Sequence, residues 1–598
     1  MTGPDNAIPQ SAARGAGCKD ALRRLLHQPG ALLILTAGIF TARWIWVAGI
    51  GDFGWTYEAA WRIAHGEIQY RDFISSLPPL ANYTLAALLA LFGDSLWLFQ
   101  IHLYLWWYLS LEVGFLIGCR LIENRALLCA AMVFTVVFSN PANSLGHAYN
   151  YAATFFGGVQ ILALLSLLRR ECARNWFVLG LIGGIGMFAK QNVGLAVVAA
   201  VGFVILLHMF LPARNRPVLW GLLLWPAGLA AGFLPLAAWF SWKAGWNEFA
   251  LQFFKDAADG KGGIYTILGR ALPRIILHPD TPHHRLIEAG ASVMLGLALI
   301  GVWRRWQSQS GNPSRGKGSQ MSIAALALGF FLFSTVALAL VSLLHIPAVT
   351  GFQEVLRVAH VPTGSSWVIF AFYMASVLAL AAAAFARRRT PEQAAPCFVA
   401  LAILLGTATS SLIYYVFAAP VIIPVLISAL RNAAHGRTAA LCLFCATGFA
   451  MVSFLSPMYS PTFLPLKALP AATPFSGLRS TARIADSVEA LYRDVSPAIR
   501  GHRTLWLCSG GPHSAFGGLP VRNVASFYQD TYSSRQELPL VREWELHPPE
   551  FVVYGKFSPT LGARLFTQQG IDQWLRNGYE LVWKDSATGT SLWWRTKH

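Results

Sequence analysis

Charge is the first scarcity of this chain. Only 12% of its 598 residues are Asp, Glu, Lys or Arg, about half of the roughly 25% carried by soluble domains, which excludes a single water-soluble fold. Acidic residues are scarcer still, 28 against 46 basic ones, giving a formal net charge of +18. In a soluble chain that excess would indicate nucleic acid or an acidic partner, so the placement of the basic residues has to decide. Cysteine is sparse, with eight scattered at 18, 119, 129, 172, 397, 442, 445 and 508, and no disulfide framework follows. Cys442 and Cys445 stand one helical turn apart inside an apolar run and read as small hydrophobes, not a metal or redox pair. No internal repeat stands out. No small-residue cleavage pattern follows the first apolar segment, whose lead-in holds Arg14, Lys19, Arg23 and Arg24, so it reads as an uncleaved span.

What the chain has in excess is apolar surface: 55% hydrophobic residues, with 22 Trp and 38 Phe, far beyond the needs of one globular core. A membrane helix takes about 20 apolar residues, and runs near that length recur with basic punctuation. They predict 13 spans, near 30–50, 96–119, 126–138, 151–168, 176–189, 193–211, 218–241, 287–302, 321–344, 365–386, 397–413, 416–430 and 438–455. The pairs 176–211 and 397–430 also read as hairpins of half-length helices or broken spans. The expected fold class is mainly α, a polytopic membrane helical bundle of about 13 spans, with a small extracytoplasmic α/β C-terminal domain.

Orientation follows from Lys and Arg in the connections. With segment 1–29 cytoplasmic, 20 of them line the cytoplasmic edge and 10 the outer edge, six of the latter in the one long loop 242–286. The basic excess is therefore mostly an orientation signal, and no nucleic acid partner is expected. An odd number of spans in 30–455 places the rest of the chain outside the cytoplasmic membrane. Residues 456–475, with five prolines, form a linker. Residues 456–598 carry 15 basic against 11 acidic residues, and beyond the linker, over 476–598, short apolar runs alternate with helical stretches. Helices are expected near 480–494, 534–546 and 569–577, and strands at 504–508, 551–554, 579–583 and 591–594.

The outer loop 51–95 is too long and too apolar for a connector. Trp55, Ala59 and Ile63 recur at helical spacing before Gly66, predicting an interfacial helix over 55–65. Pro78 or Pro79 starts a second one that runs to Phe92 and stops at Gly93. The pair frames Asp52 at the outer end of the first span, where a carboxylate is costly unless it faces water or protein.

Asp52 after the first span, the Tyr and small residues of the next helix, Tyr70-Arg71-Asp72-Phe73, Pro78-Pro79-Leu80 and Leu91-Phe92-Gly93 together resemble the GT-C superfamily. These are polytopic glycosyltransferases that use polyprenyl-phosphate sugars, among them the protein O-mannosyltransferases and the lipid A aminoarabinose transferases. The motif support covers about residues 30–210. The resemblance implies Asp52 as the catalytic acid residue at the start of the first outer loop. It also implies Lys190, in Gly186-Met-Phe-Ala-Lys190-Gln-Asn192, close to the lipid phosphate. The aminoarabinose branch often has Lys immediately before Pro-Pro-Leu, and here that position is Leu77.

The chemistry stands beside the resemblance. An inverting transfer needs a carboxylate to take the proton of the incoming hydroxyl and cationic or N–H groups on the phosphate leaving group. Asp52 fits the first role, with capping of the adjacent helix as the alternative. Lys190, Arg43, Arg71 and Arg62 are the phosphate candidates, Lys190 with snorkelling to head groups as its alternative. Arg43, inside the first span, either pairs with Asp52 or reaches the site. Tyr57, Glu58 and Asp72 complete the outer-loop set, the two acids with salt bridges to Arg71 or Arg62 as the alternative. His147 and Tyr149, with Asn150 and Tyr151, resemble residues that other members place around the sugar, and an interface belt explains them as well. Glu112 reads as a buried carboxyl of the second span without a catalytic role. His278, Asp280, His283 and His284 have the ligand types for a divalent cation, against a solvated loop pair. No phosphate loop follows Gly510 and Gly511.

The expected function is an inner-membrane glycosyltransferase that moves a sugar from a polyprenyl-phosphate donor to an extracytoplasmic glycan, lipid or protein acceptor. A secondary transporter and a non-catalytic envelope-assembly scaffold are the rivals. The first lacks repeat halves with matching broken helices, and the second leaves Asp52 unexplained.

Overall fold

Apolar runs that end in Gly, Pro or a basic residue have one way to satisfy their backbone groups in hydrocarbon, the helix. The computed structural model describes residues 29–46, 53–75, 77–141, 148–210, 218–256, 376–377, 379–381, 383–385, 391–408, 415–429, 466–470, 475–507, 522–526, 546–554, 568–586 and 589–596. Twelve helices precede residue 430 among them: α1 Pro29–Trp44, α2 Phe53–Ala64, α3 Pro79–Phe92, α4 Leu96–Leu121, α5 Arg125–Phe138, α6 Ala148–Arg169, α7 Ala173–Gly186, α8 Gln191–Phe210, α9 Val218–Ala244, α10 Trp246–Ala250, α11 Pro391–Ala408 and α12 Tyr415–Ala429. A π-helical stretch, Leu251–Asp256, continues α10. Among the described residues, three helices are long and apolar enough to cross a membrane, Leu96–Leu121, Ala148–Arg169 and Gly221–Ala244, and six shorter apolar ones accompany them.

The ends follow from their residues. Ser95 accepts from Trp97 N and Asn124 from Leu127 N, the cap bonds that hydroxyl and amide side chains supply. Pro79 opens α3 and Gly93, at φ +88°, closes it. Both helices expected in the outer loop are present, within two residues of the predicted bounds. The spans expected at 287–302, 321–344 and 438–455, and most of 365–386, lie outside the described residues, as do Cys442, Cys445 and the histidines of the 242–286 loop.

Helices α7 and α9 meet backbone to backbone. Gly180 and Gly184 of α7 face Gly228 and Gly232 of α9, and a Cβ on any of the four would lie 2.0–2.4 Å from a carbonyl oxygen of the other helix. This is the small-residue spacing by which membrane helices approach closely. Gly228→Leu drives a side chain against Phe177 O, an overpacking cost of about 1–3 kcal/mol or more. Thermal unfolding in detergent is expected to show a lowered midpoint for Gly228→Leu and none for Gly38→Leu, where a Cβ meets nothing within 4 Å. Equal midpoints would remove the close approach from the account of α7 and α9.

One expectation is corrected here. Glu112 is not a buried carboxyl: it lies on the exposed face of α4 with Ile101, Leu105 and Leu116. Its neighbours Leu111 and Val113 take the buried positions, because the helical period sets that face one residue away.

After residue 465 the described chain turns to strands. β1 (Leu466–Ala468) and β2 (Arg479–Thr481) pair antiparallel. Helix α13 (Ala482–Ala490), a π turn and α14 (Ser496–Ile499) follow. A five-stranded sheet has the order β4-β3-β5-β7-β6, with β3 Arg503–Leu507, β4 Arg522–Ser526, β5 Phe551–Tyr554, β6 Tyr579–Lys584 and β7 Ser591–Arg595, and helix α15 (Gln568–Gly578) leads into β6. β3 runs parallel to β4 and β5, whereas β7 is antiparallel to β5 and β6. The strands expected at 504–508, 551–554, 579–583 and 591–594 are present; β1, β2 and β4 were not expected. The helix read at 534–546 lies outside the described residues, apart from its last residue.

The start of this region sits on the membrane helices. Arg479 N donates to Trp46 O at 2.8 Å, and the Trp46 ring stands edge-on to Trp97 at 4.7 Å. Gly477, at φ +81°, leaves no room for a Cβ against Trp97 Nε1. Leu469, Leu478, Val488 and Leu491 belong to the same buried cluster as Leu33, Tyr57 and Leu103.

Candidate functional site

The outer segment is built around α2. Its buried face carries Thr56, Tyr57, Glu58, Ala59 and Ala60. The Tyr57 phenol is fully buried with no hydrogen-bond partner, and burial, assisted by the Asp94 charge, pushes its pKa well up. Arg62 is also buried: its Nε donates to Glu67 Oε2 at 2.6 Å, Glu58 stands 4.0 Å away, and the guanidinium lies 4.9 Å over the Phe73 ring. Arg71 makes two 2.8 Å hydrogen bonds to Asp72, whose carboxylate also accepts from Ile68 N at 2.7 Å. Glu58 and Asp72 thus have the salt bridges weighed for them, and Arg71, half-exposed, is occupied by Asp72.

That pair has a pH signature. The Arg71 hydrogen bonds, with the Ile68 N–H, hold the Asp72 carboxyl below its ordinary value. A depressed carboxyl contributes order that is present above its unfolded pKa of about 3.9 and is lost as pH falls through the folded value. Arg71→Gln is expected to move that loss to higher pH, read as the pH at which the Ile68 amide loses protection from hydrogen exchange. Superimposable profiles for wild type and Arg71→Gln would contradict it.

The loop from α2 to α3 is tied down by amides. Gln69 Nε2 donates to Leu77 O at 2.8 Å, and Asn82 Nδ2 donates to Gln69 Oε1 at 3.1 Å. Gln252, in the π stretch after α10, donates to Tyr70 O and accepts from Ser75 N. These bonds hold Tyr70 at φ +76°, a left-handed conformation that costs a side-chain-bearing residue about 1–2 kcal/mol. Its ring packs edge-on to Phe240 and Phe249.

Lys190 occupies the turn between α7 and α8 and is 5% exposed. Its carbonyl accepts from Gly194 N, making it the N-cap of α8. A Cβ on Gly194 would lie 2.6 Å from Met187 Cα, so only glycine lets the chain double back here. Asn192 Nδ2 donates to Gly406 O of α11, Gln191 Nε2 to Phe253 O, and Leu80 N of α3 to Phe188 O. The Lys190 turn is thereby joined to the outer segment and to the π stretch.

The ammonium of Lys190 donates to Asn150 Oδ1 at 2.6 Å and lies 5.6 Å from the Tyr149 ring centroid. Both partners open α6, whose start is held rigidly: Tyr151 OH donates to Ser139 O, Ser110 Oγ to Tyr151 O, and Thr154 Oγ1 to Phe417 O. A charge-assisted bond of this kind contributes about 1.5–3 kcal/mol. Asn150 is fully buried and its Nδ2 has no partner.

The structure brings Lys190 and Tyr149 together and keeps Arg71, Asp72, Glu58 and Arg62 in their own pairs. Asp52, His147 and the Arg43 side chain lie outside the described residues. Asn150 was named as a loop residue, and its bond to a lysine 40 positions away had no local signal. Gln252 was missed; its one signal is a lone amide in an aromatic run, Leu251-Gln-Phe-Phe254. Among the described residues, no group of three His, Cys, Asp or Glu could hold a metal ion.

Residues 76–239, from the outer segment through α9, match the family model of dolichyl-phosphate-mannose-protein mannosyltransferase. Of the curated proteins, none matches this chain. Solved structures that resemble it include ArnT from Cupriavidus metallidurans bound to undecaprenyl phosphate, at 12% identity and a TM-score of 0.43, covering 94% of this chain and 97% of that one. The same protein in the apo state gives 13% identity and 0.43, covering 96% and 98%. The Archaeoglobus fulgidus oligosaccharyltransferase, in complex with Zn and sulfate, gives 12% and 0.41, covering 88% and 68%. The family match, over that part of the chain, agrees with the resemblance carried by the motifs.

Proposed function

We propose that the protein transfers a sugar from a polyprenyl-phosphate donor to a hydroxyl on an extracytoplasmic glycan, lipid or protein, with inversion at the anomeric carbon. The acceptor oxygen attacks that carbon, its bond to the phosphate oxygen breaks, and polyprenyl phosphate leaves. Asp52 takes the proton of the attacking hydroxyl. Lys190 neutralises the charge that grows on the departing phosphate, the largest need of such a transition state. Tyr57, Glu58, Asp72, Arg71, Arg43, His147 and Tyr149 belong to the surrounding substrate-binding wall. The N-terminal segment is cytoplasmic, residues 30–455 form the membrane domain, and 476–598 form the outer α/β domain after the 456–475 linker.

The observation that supports this reading most is Lys190. A nearly fully buried ammonium at the start of a helix, within the segment that matches the mannosyltransferase family, has the chemistry of a phosphate ligand. The reading is tested with purified protein in lipid, supplied with a polyprenyl-phosphate-linked sugar and an envelope extract as acceptor. Release of polyprenyl phosphate coupled to sugar transfer supports it; a donor left intact by well-folded protein sinks it.

A further inference from the structure

We infer that Asn150 is a second ligand of the same phosphoryl group; this rests on the lipid-phosphate reading of Lys190. An ammonium only donates, so the oxygen of the Asn150 amide must face Lys190 Nζ, at 2.6 Å. The Nδ2 group is thereby turned the other way, fully buried and without a partner. Orphaned buried donors are rare, and a phosphate oxygen is an acceptor that fits this one. The position strengthens the case. Asn150 is the third residue of α6 and Lys190 is the N-cap of α8, so each belongs to the first turn of a long helix, where the dipole favours an anion. An amide also holds the lysine without cancelling its charge, as a carboxylate would.

A purely structural role for Asn150 makes the opposite prediction from anion binding. Asn150→Asp preserves the oxygen that accepts from Lys190, so a role confined to holding the fold, with no anion at this spot, predicts no loss. Anion binding predicts a large one, since the new carboxylate neutralises Lys190 and repels the phosphate. Binding of polyprenyl phosphate, measured on full-length protein in nanodiscs, is expected to weaken at least about tenfold in Asn150→Asp. Asn150→Ser, which keeps an acceptor and loses the free N–H donors, is expected to weaken it less. Wild-type affinity in either variant overturns the inference, and so does equal wild-type affinity for polyprenyl phosphate and phosphate-free polyprenol.

Inorganic phosphate is the further arm. If it displaces the lipid with the same Asn150 dependence, the site takes a free phosphate as well; if it does not, the anion is the lipid head group. Intact polyprenyl phosphate binding without sugar transfer would refute the proposed reaction and leave this site standing.

Discussion

Asp52→Asn is expected to lower kcat for the proposed sugar transfer by about 10²–10⁴, the range that a positioned general base contributes, and to leave donor affinity within about twofold. The amide keeps the size of the carboxylate and its capacity to cap α2, and loses only the ability to take a proton. A helix cap alone would tolerate Asn, which is as good a cap as Asp, so unchanged transfer would reduce Asp52 to that role. Asp72→Asn, at a residue of the proposed binding wall, is the comparison, expected to raise KM with kcat little changed. Asp72 is partly exposed and bonded to Arg71 and Ile68 N, so its loss loosens the 68–73 turn without removing a base. If Asp72→Asn is the inactive variant and Asp52→Asn the active one, the assignment is reversed.

The second large effect is at Lys190. Lys190→Met retains an unbranched apolar stem of similar reach and deletes the charge. Removing one donor to a developing oxyanion costs about 10²–10³ in kcat. The contact also exists in the bound donor, so its KM rises together with the fall in kcat. Lys190→Arg is not expected to restore activity: the site is 5% exposed, and a planar guanidinium does not reproduce the compact point charge of the ammonium. If Lys190 only reached for lipid head groups, Lys190→Met would leave both constants within about twofold of wild type.

The helices were legible because their signals are local. The apolar runs beginning near Leu96, Ala148 and Val218 announce long helices, and Pro79 and Gly93 bound α3 as proline and glycine do elsewhere. Glu112 shows where this fails: a run that is apolar all round gives no clue to which side faces protein, and the neighbours of α4 lie far away in sequence. The C-terminal strands β3, β5, β6 and β7 could be read from β-branched and aromatic residues. Their order could not, since β5 joins β3 and β7 across long intervals, and register is a tertiary choice.

The site divides in the same way. Lys190 stood out as a lone basic residue on an edge otherwise poor in charge. Its partner Asn150 was one of several polar residues near the start of α6, and only the fold selects it. The pairing of Arg71 with Asp72 and of Arg62 with Glu67 was accessible from proximity in sequence. The anchoring of Tyr70 and Ser75 by Gln252 spans most of the membrane helices that intervene and had no local trace.

The bond from Arg479 N to Trp46 O has a bearing on biogenesis. Trp46 lies just past the C-terminal end of α1, and the donor that meets its carbonyl is translated only after all the membrane helices described here. The ribosome therefore releases α1 into the membrane with that end unfinished. Closure between Trp46 and Arg479 is a late event, slow because it joins residues so distant in sequence. A chain truncated ahead of β2 leaves Trp46 and Trp97 without that cover, presenting quality-control proteases with an exposed aromatic pair at the membrane surface.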